Sequence, residues 1–256
     1  MVSAVSSGLP TALLWDVDGT LAETELDGHR LAFNRAFAEA ELPWHWDRPT
    51  YLDLLRISGG RERMAHYLEQ MEGRVPGADR LEALQAAKQR HYAALLNGGA
   101  LRLRPGVKRL VLAAAQAGVA QAIVTTSSRR AVTALVQRLL PVEAFAFWVC
   151  GEDVAHKKPH PEAYRQALAR LGCGPEQVLA IEDSANGVAA ARAAAIPVLA
   201  TRSASSAHEP EAAFAAAAAV SDGLGEPDQP CRLLRGPACP GGWITLSYLQ
   251  QLLPPP

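Results

Sequence analysis

The chain has 256 residues, 49% of them apolar, with 25 Lys and Arg against 26 Asp and Glu, a formal charge of -1. That length fits one large or two modest domains with an ample core. The near-neutral balance excludes a general pull toward nucleic acid or an anionic membrane.

Residues 1–10 carry no basic segment and no signal-like apolar core, and no apolar stretch approaches the ~20 residues of a membrane span. The four cysteines, Cys150, Cys173, Cys231 and Cys239, are scattered without a C-x-x-C pair and read as free thiols in a reducing compartment. Zinc on Cys231 and Cys239 would need two further ligands. A soluble, cytoplasmic monomer is expected.

The apolar run at 12–15 reads as a short buried strand. It ends in Asp16-Val17-Asp18-Gly19-Thr20. Side chains alternate along extended backbone, so two acids two positions apart point the same way. Gly19 then lets the chain turn tightly. Converging acids are costly unless they share a cation or a proton. A turn or a calcium loop is the competing reading, but Thr20-Leu21-Ala22 interrupts the alternating oxygen ligands that a calcium loop needs.

A helical pattern follows. Over 28–40, apolar residues recur at Leu31, Ala32, Phe33, Ala36, Phe37 and Ala40. Pro43 and Pro49 bracket a turn; 51–57 and 61–71 are helical around the break Ser58-Gly59-Gly60; 79–96 is a long helix closed by Asn97-Gly98-Gly99. From residue 101 helices alternate with strands: helix 107–117, strand 119–124, helix 130–139, extended 145–150, helix 161–171, strand 178–181, helix 188–195 and strand 197–200. This rhythm predicts an α/β fold, a doubly wound parallel sheet, with an inserted α-helical cap domain. The expected core domain is 1–23 and 98–256, and the cap is 24–97. Residues 211–219 are Ala-rich and helix-competent. Residues 221–241, rich in Gly and Pro, read as irregular, with 243–253 packing back onto the core.

Ligands in such sheets sit beyond the carboxyl ends of the strands. Four ends here carry polar residues: Asp16 and Asp18; Thr125; the loop His156-Lys157-Lys158-Pro159; and Glu182-Asp183. Each has a plain alternative, as a helix cap for Thr125 and Glu182-Asp183 or a solvated loop for the lysines. Together they suit a phosphoryl group and a magnesium ion, since magnesium takes hard oxygen ligands and tolerates few protein carboxylates.

In this order, the four pieces resemble the haloacid dehalogenase-like (HAD) superfamily. The resemblance implies that Asp16 is the nucleophile that becomes an aspartyl phosphate. Asp18 is then the acid and base, Thr125 and Lys158 hold the phosphoryl oxygens, and Asp16, the Asp18 carbonyl, Glu182 and Asp183 bind Mg2+. True dehalogenases lack the second Asp, so Asp18 argues for phosphoryl chemistry. The division of labour requires Asp16 ionised and Asp18 protonated for part of the cycle.

The insert is expected to read the substrate. Two glycines ahead of a helix expose amides suited to an anion, and Arg61 and Arg63 could reach a second phosphate. A plain interhelical turn is the alternative. The runs Leu21-Ala22-Glu23-Thr24-Glu25, His29-Arg30, Trp44-x-Trp46-Asp47 and Gly59-Gly60-x-Glu62-Arg63 resemble the CbbY family. Its members resemble β-phosphoglucomutase in fold and hydrolyse xylulose-1,5-bisphosphate to xylulose 5-phosphate. The substrate contacts that the resemblance implies are Glu25, Gly59, Gly60, Arg61, Glu62 and Arg63; His29, Lys88 and Thr126 are further candidates, with Lys88 outside the matched motifs. His29 is alternatively an acid–base relay or a packed histidine. The chain departs from the family pattern in one extra residue between Glu25 and His29, in Arg61 where Lys is usual, and in the extension 221–256. The expected activity is Mg-dependent hydrolysis of a small phosphorylated sugar. A sugar phosphomutase, a phosphoglycolate-type phosphatase and a non-catalytic sugar-phosphate binder remain open.

Overall fold

A computed structural model describes residues 8–255. The reading of residues 1–10 as free of a leader lies, except for 8–10, outside the described residues. Seven strands form one sheet: β1 (Ala12–Trp15), β2 (Ala120–Val124), β3 (Phe147–Val149), β4 (Val178–Glu182), β5 (Val198–Thr201), β6 (Ala219–Ser221) and β7 (Leu233–Arg235). Their order is β3-β2-β1-β4-β5-β6-β7. All pairings are parallel except β6 with β7. The order reverses between β1 and β4, the place where such sheets open a crevice.

Between β1 and β2 the chain makes a π-helical turn (Glu25–His29), then α1 (Arg30–Glu39), α2 (Arg48–Leu54), α3 (Gly60–Glu72) and α4 (Ala78–Asn97). Their apolar faces enclose a cluster of their own, built on Phe33, Phe37, Trp46, Tyr51, Met64, Leu68 and Leu84. Asn34 ties the α1–α2 connection, donating to Trp46 O at 2.9 Å and accepting from Trp46 N–H at 2.7 Å. Asp47 caps α2 by accepting Thr50 N–H at 2.8 Å.

The remaining helices are α5 (Val107–Gln116), α6 (Arg129–Leu139), α7 (Glu162–Leu171), α8 (Ala185–Ala193) and α9 (Leu246–Gln250). They cover both sheet faces, and β1 shows why. Leu13 and Trp15 pack with residues of α5, α6 and α9, while Ala12 and Leu14 pack with residues of α7 and α8. A strand buried on both sides reads as a continuous apolar run. Gln121, buried in β2, accepts Trp15 Nε1–H at 3.0 Å and donates to Val111 O at 3.0 Å.

Three expectations change. The α-helix expected from residue 28 starts at Arg30, because His29 N–H donates to Thr24 O, five residues back, at 2.7 Å. A π turn holds one residue more than an α turn. The Ala-rich 211–219 segment forms only a 3-10 turn at Glu211–Phe214 before Ala219 opens β6. There Ala218 N–H donates to Val198 O at 2.8 Å, so sheet pairing and burial outweigh alanine's helix preference. The 221–241 segment is less irregular than expected, since it supplies β7.

The tail is tied down by two arginines. Arg104 donates to Thr201 O at 2.7 Å, Arg202 O at 2.8 Å and Asp222 O at 2.9 Å. Arg109 reaches Gly225 O at 2.7 Å and Ile244 O at 2.9 Å. Among the described residues, no helix is long and apolar enough to cross a membrane.

Candidate active site

Parallel pairing sets the ends of β1, β2 and β4 side by side, and the acids meet there. Asp16 N–H donates to Ile181 O at 3.0 Å, fixing the first acid beside the end of β4. The chain then turns at Gly19, whose φ of 85° suits glycine. A Cβ there would lie 2.0 Å from Asp183 Oδ2, so glycine also makes room for the acid opposite.

Lys158 is buried among these groups. Its Nζ donates to Asp16 Oδ1 at 2.7 Å, Glu182 Oε1 at 2.6 Å and Val124 O at 2.8 Å. Burial alone would lower the lysine's pKa, but Asp16 and Glu182 more than offset it and the pKa is raised. Tyr164 OH also donates to Glu182 Oε1. Glu182 Oε2 is buried with no hydrogen-bond partner. Asp183 Oδ2 accepts from Ser203 Oγ at 2.5 Å. Oxygens of Asp16, Glu182 and Asp183 lie within 4.8 Å of one another. A single ammonium cannot balance three acids. Burial therefore pushes Asp16 up to about 8, helped by Glu182 and opposed by Lys158, and raises Asp183 well above the carboxylate range. The hard-oxygen set, with one oxygen left unsatisfied, fits a magnesium ion.

Asp18 lies in the opposite environment. Its carboxylate accepts from Thr24 Oγ1, from Ser127 Oγ and from His29 Nε2, the last at 2.8 Å. Burial works against ionisation here, but His29 and the hydroxyls win and its pKa is lowered. In the protein alone the two acids are thus shifted in opposite directions, Asp18 toward its anion and Asp16 toward its protonated form. The cause is the supply of donors, three for Asp18 against one shared lysine for Asp16.

His29 stacks on Tyr92 with ring centroids 4.3 Å apart, and its Nδ1 lies 2.8 Å from Lys88 Nζ. Lys88 is buried, and desolvation pulls its pKa down to about 8, with Asp18 and Glu25 opposing. Arg63 donates to Tyr51 OH at 3.0 Å and Leu54 O at 3.1 Å, and Tyr51 OH in turn donates to Glu25.

A cleft lies between sheet and helical insert. Of the residues expected from sequence, it brings together Asp16, Asp18, Glu25, His29, Gly59, Gly60, Arg63, Lys88, Thr125, Thr126, Lys158 and Asp183. Glu182 lies beneath, behind Lys158. Arg61 and Glu62 are not in the cleft. Both are exposed on the first turn of α3, and Glu62 pairs with Lys157 at 2.5 Å. A helix spreads successive residues around its axis, so Arg63 turns inward while its two neighbours face out.

Sequence reasoning missed Ser127, Thr24, Tyr164, Ser203 and Asn186. Ser127 carried a readable signal: it lies two positions beyond Thr125 at a strand end, the spacing that paired Asp16 with Asp18. Tyr164 and Ser203 carried none, since each is an ordinary residue that becomes informative only beside Glu182 or Asp183.

The sequence profile of the haloacid dehalogenase-like hydrolases matches residues 10–195. Over 246 residues the chain is 43% identical to the protein CbbY (plasmid) of Cupriavidus necator, covering 93% of this chain and 95% of the relative. A crystal structure of CbbY from Rhodobacter sphaeroides in complex with phosphate superposes with a TM-score of 0.78 at 39% identity, covering 84% of this chain and 95% of that one. A mutant of that CbbY in complex with xylulose-(1,5)bisphosphate gives 0.79 at 38% identity, covering 86% and 96%.

Proposed function

This chain belongs to the haloacid dehalogenase-like hydrolases, in the CbbY family, and on that premise we propose that it uses Asp16 to take one phosphoryl group from a small sugar bisphosphate, with xylulose-1,5-bisphosphate as first choice. It is a phosphatase-type hydrolase. The observation that carries the mechanism is Lys158 bridging Asp16 and Glu182 at the floor of the cleft. The division into a core of 1–23 and 98–256 with a cap of 24–97 is part of this proposal.

Asp16 attacks phosphorus as the bond to the sugar oxygen breaks, giving an aspartyl phosphate. Asp18 gives its proton to the leaving oxygen. Water then attacks phosphorus, Asp18 takes the water's proton, and inorganic phosphate leaves with Asp16 restored. Thr125 and Lys158 hold the phosphoryl oxygens. Asp18 stands as an anion in the protein alone, so a phosphate dianion beside it must raise its pKa before the first step. Mg2+ held by Asp16, Glu182, Asp183 and the Asp18 carbonyl would supply the positive charge that keeps Asp16 ionised and offsets the phosphoryl charge.

The second phosphate is assigned to the insert. Gly59 and Gly60 line the cleft at the start of the 13-residue α3, where free amides favour an anion. Lys88 and Arg63 line the same wall. A second anion site in the same cleft favours a bisphosphate over a small acid with one phosphate. The test is phosphate release with Mg2+ over sugar mono- and bisphosphates, with Asp16→Asn as control. The bisphosphate should give the highest kcat/KM, and the variant should lose on the order of 10⁴-fold or more in kcat. A clear preference for a monophosphate would overturn the substrate; isomer formation without phosphate release would overturn the hydrolysis.

A further inference from the structure

We propose that His156, His160 and Glu162 form a site for one divalent transition-metal ion of the zinc class, separate from the acids of the cleft. Each offers a donor atom, and the three atoms lie within 4.8 Å of one another. Glu162 Oε2 is 3.0 Å from His156 Nδ1 and 3.9 Å from His160 Nδ1. A tetrahedral zinc ion with bonds near 2.1 Å places its ligand atoms about 3.4 Å apart, between those two values, and the two histidine donors, no more than 4.8 Å apart, close on the ion by side-chain rotation.

The carboxylate is already fixed. Glu162 opens α7 and accepts Ala155 N–H at 2.8 Å and His156 N–H at 3.0 Å. Such backing orients a metal-ligating carboxylate. His160 Nδ1 accepts Glu162 N–H at 3.3 Å, so that nitrogen carries no proton, and a bond that long yields readily to a metal. The imidazole rings lie with centroids 4.8 Å apart. The side chains of His156 and His160 are 69% and 47% exposed, which leaves water access to a fourth coordination position. Lys157, between the two histidines, does not oppose a dication at full strength, because Glu62 holds its ammonium at 2.5 Å.

Ligand chemistry separates the two sites. Two imidazoles and a carboxylate suit zinc, nickel or copper, whereas Asp16, Glu182 and Asp183 offer oxygen alone and suit magnesium. The loop between the histidines also contains Lys158, so an ion bound here would clamp the backbone that carries the buried ammonium.

The experiment is a calorimetric titration of zinc chloride into the full chain, with Mg2+ in excess to occupy the oxygen cluster. One equivalent should bind. His156→Ala and His160→Ala should each weaken it more than about tenfold, since loss of supporting groups alone costs 10- to 100-fold, and Asp183→Asn should leave it unchanged. His160→Gln repeats the test with side-chain bulk kept, and unaltered magnesium-supported phosphate release shows that the variants fold. Cobalt(II) in place of zinc should give a visible spectrum of nitrogen ligation that His160→Gln abolishes. Absence of a bound equivalent, binding indifferent to both histidines, or binding lost in Asp183→Asn would each overturn the site and leave Glu162 as a loop cap.

Discussion

At the scale of single residues the cleft contains two charge problems with different solutions. Asp18 has three donors, which lower its pKa; Asp16 and Asp183 are buried beside other acids, which raises theirs. Lys88 shows a third case, a buried lysine 2.8 Å from His29 Nδ1 whose pKa desolvation lowers to about 8. Below that pH it is charged and attracts an anionic substrate; above it the attraction is lost. The pH profile of kcat/KM reports groups of the free enzyme, so it should fall on the alkaline side near pH 8. Lys88→Arg, which stays charged throughout, should move that limb upward, and an unmoved limb would remove Lys88 from substrate binding. The acids at strand ends were legible in the sequence because their spacing is local. Tyr164 and Thr24 were not, because a hydroxyl's value depends on which distant acid the fold brings to it.

At the scale of elements, most helices and strands follow from apolar spacing. The exceptions arise where long-range pairing or one additional residue decides. The π turn at Glu25–His29 is the clearest. Periodicity marks a helix there but does not reveal a turn wide enough to aim both Glu25 and His29 at the cleft. The start of α3 is another such place. Gly59 has φ 93°, and a Cβ on it would lie 2.1 Å from Glu62 Oε2 and 2.7 Å from Lys157 Nζ. Asn186 on α8 donates to Arg56 O at 3.2 Å and Ser58 Oγ at 3.4 Å. The loop residue Lys157 and Asn186 of α8 thus grip the segment 56–62 at two points. The Glu62–Lys157 pair is partly exposed and individually weak, but the loop it holds lines the cleft. Glu62→Gln should raise KM about two- to fivefold with kcat little changed, and Glu62→Lys with Lys157→Glu should restore it. Equal KM values in all three proteins would show that the pair is incidental.

At the scale of the whole molecule, the strand order makes the site. Reversal between β1 and β4 brings the acids of both strand ends together; the alternation of helices and strands predicted the doubly wound parallel sheet but not this order. The tail was least legible, since β7 depends on β6 as partner and the carbonyls of 222–244 depend on Arg104 and Arg109. Because Asp16, Glu182 and Asp183 repel one another in the folded chain, a bound dication should stabilise it globally. At a hundredfold excess over its Kd, Mg2+ should raise Tm by roughly 5–10 °C. Chelation should reverse the rise and Asp183→Asn should largely remove it, as followed by thermal unfolding. An unchanged Tm would mean that the acids hold no ion.

Asp16 and Lys158 stand 142 residues apart in the chain. During synthesis the first carboxylate leaves the ribosome on the order of ten seconds before the lysine that will hold it has been made. Until then Asp16 is an ordinary hydrated acid with no burial to raise its pKa. A nascent chain that stops short of Asp183 has the proposed nucleophile but lacks part of the acid trio. Catalytic competence therefore arrives late in translation, whatever the order in which the helices form.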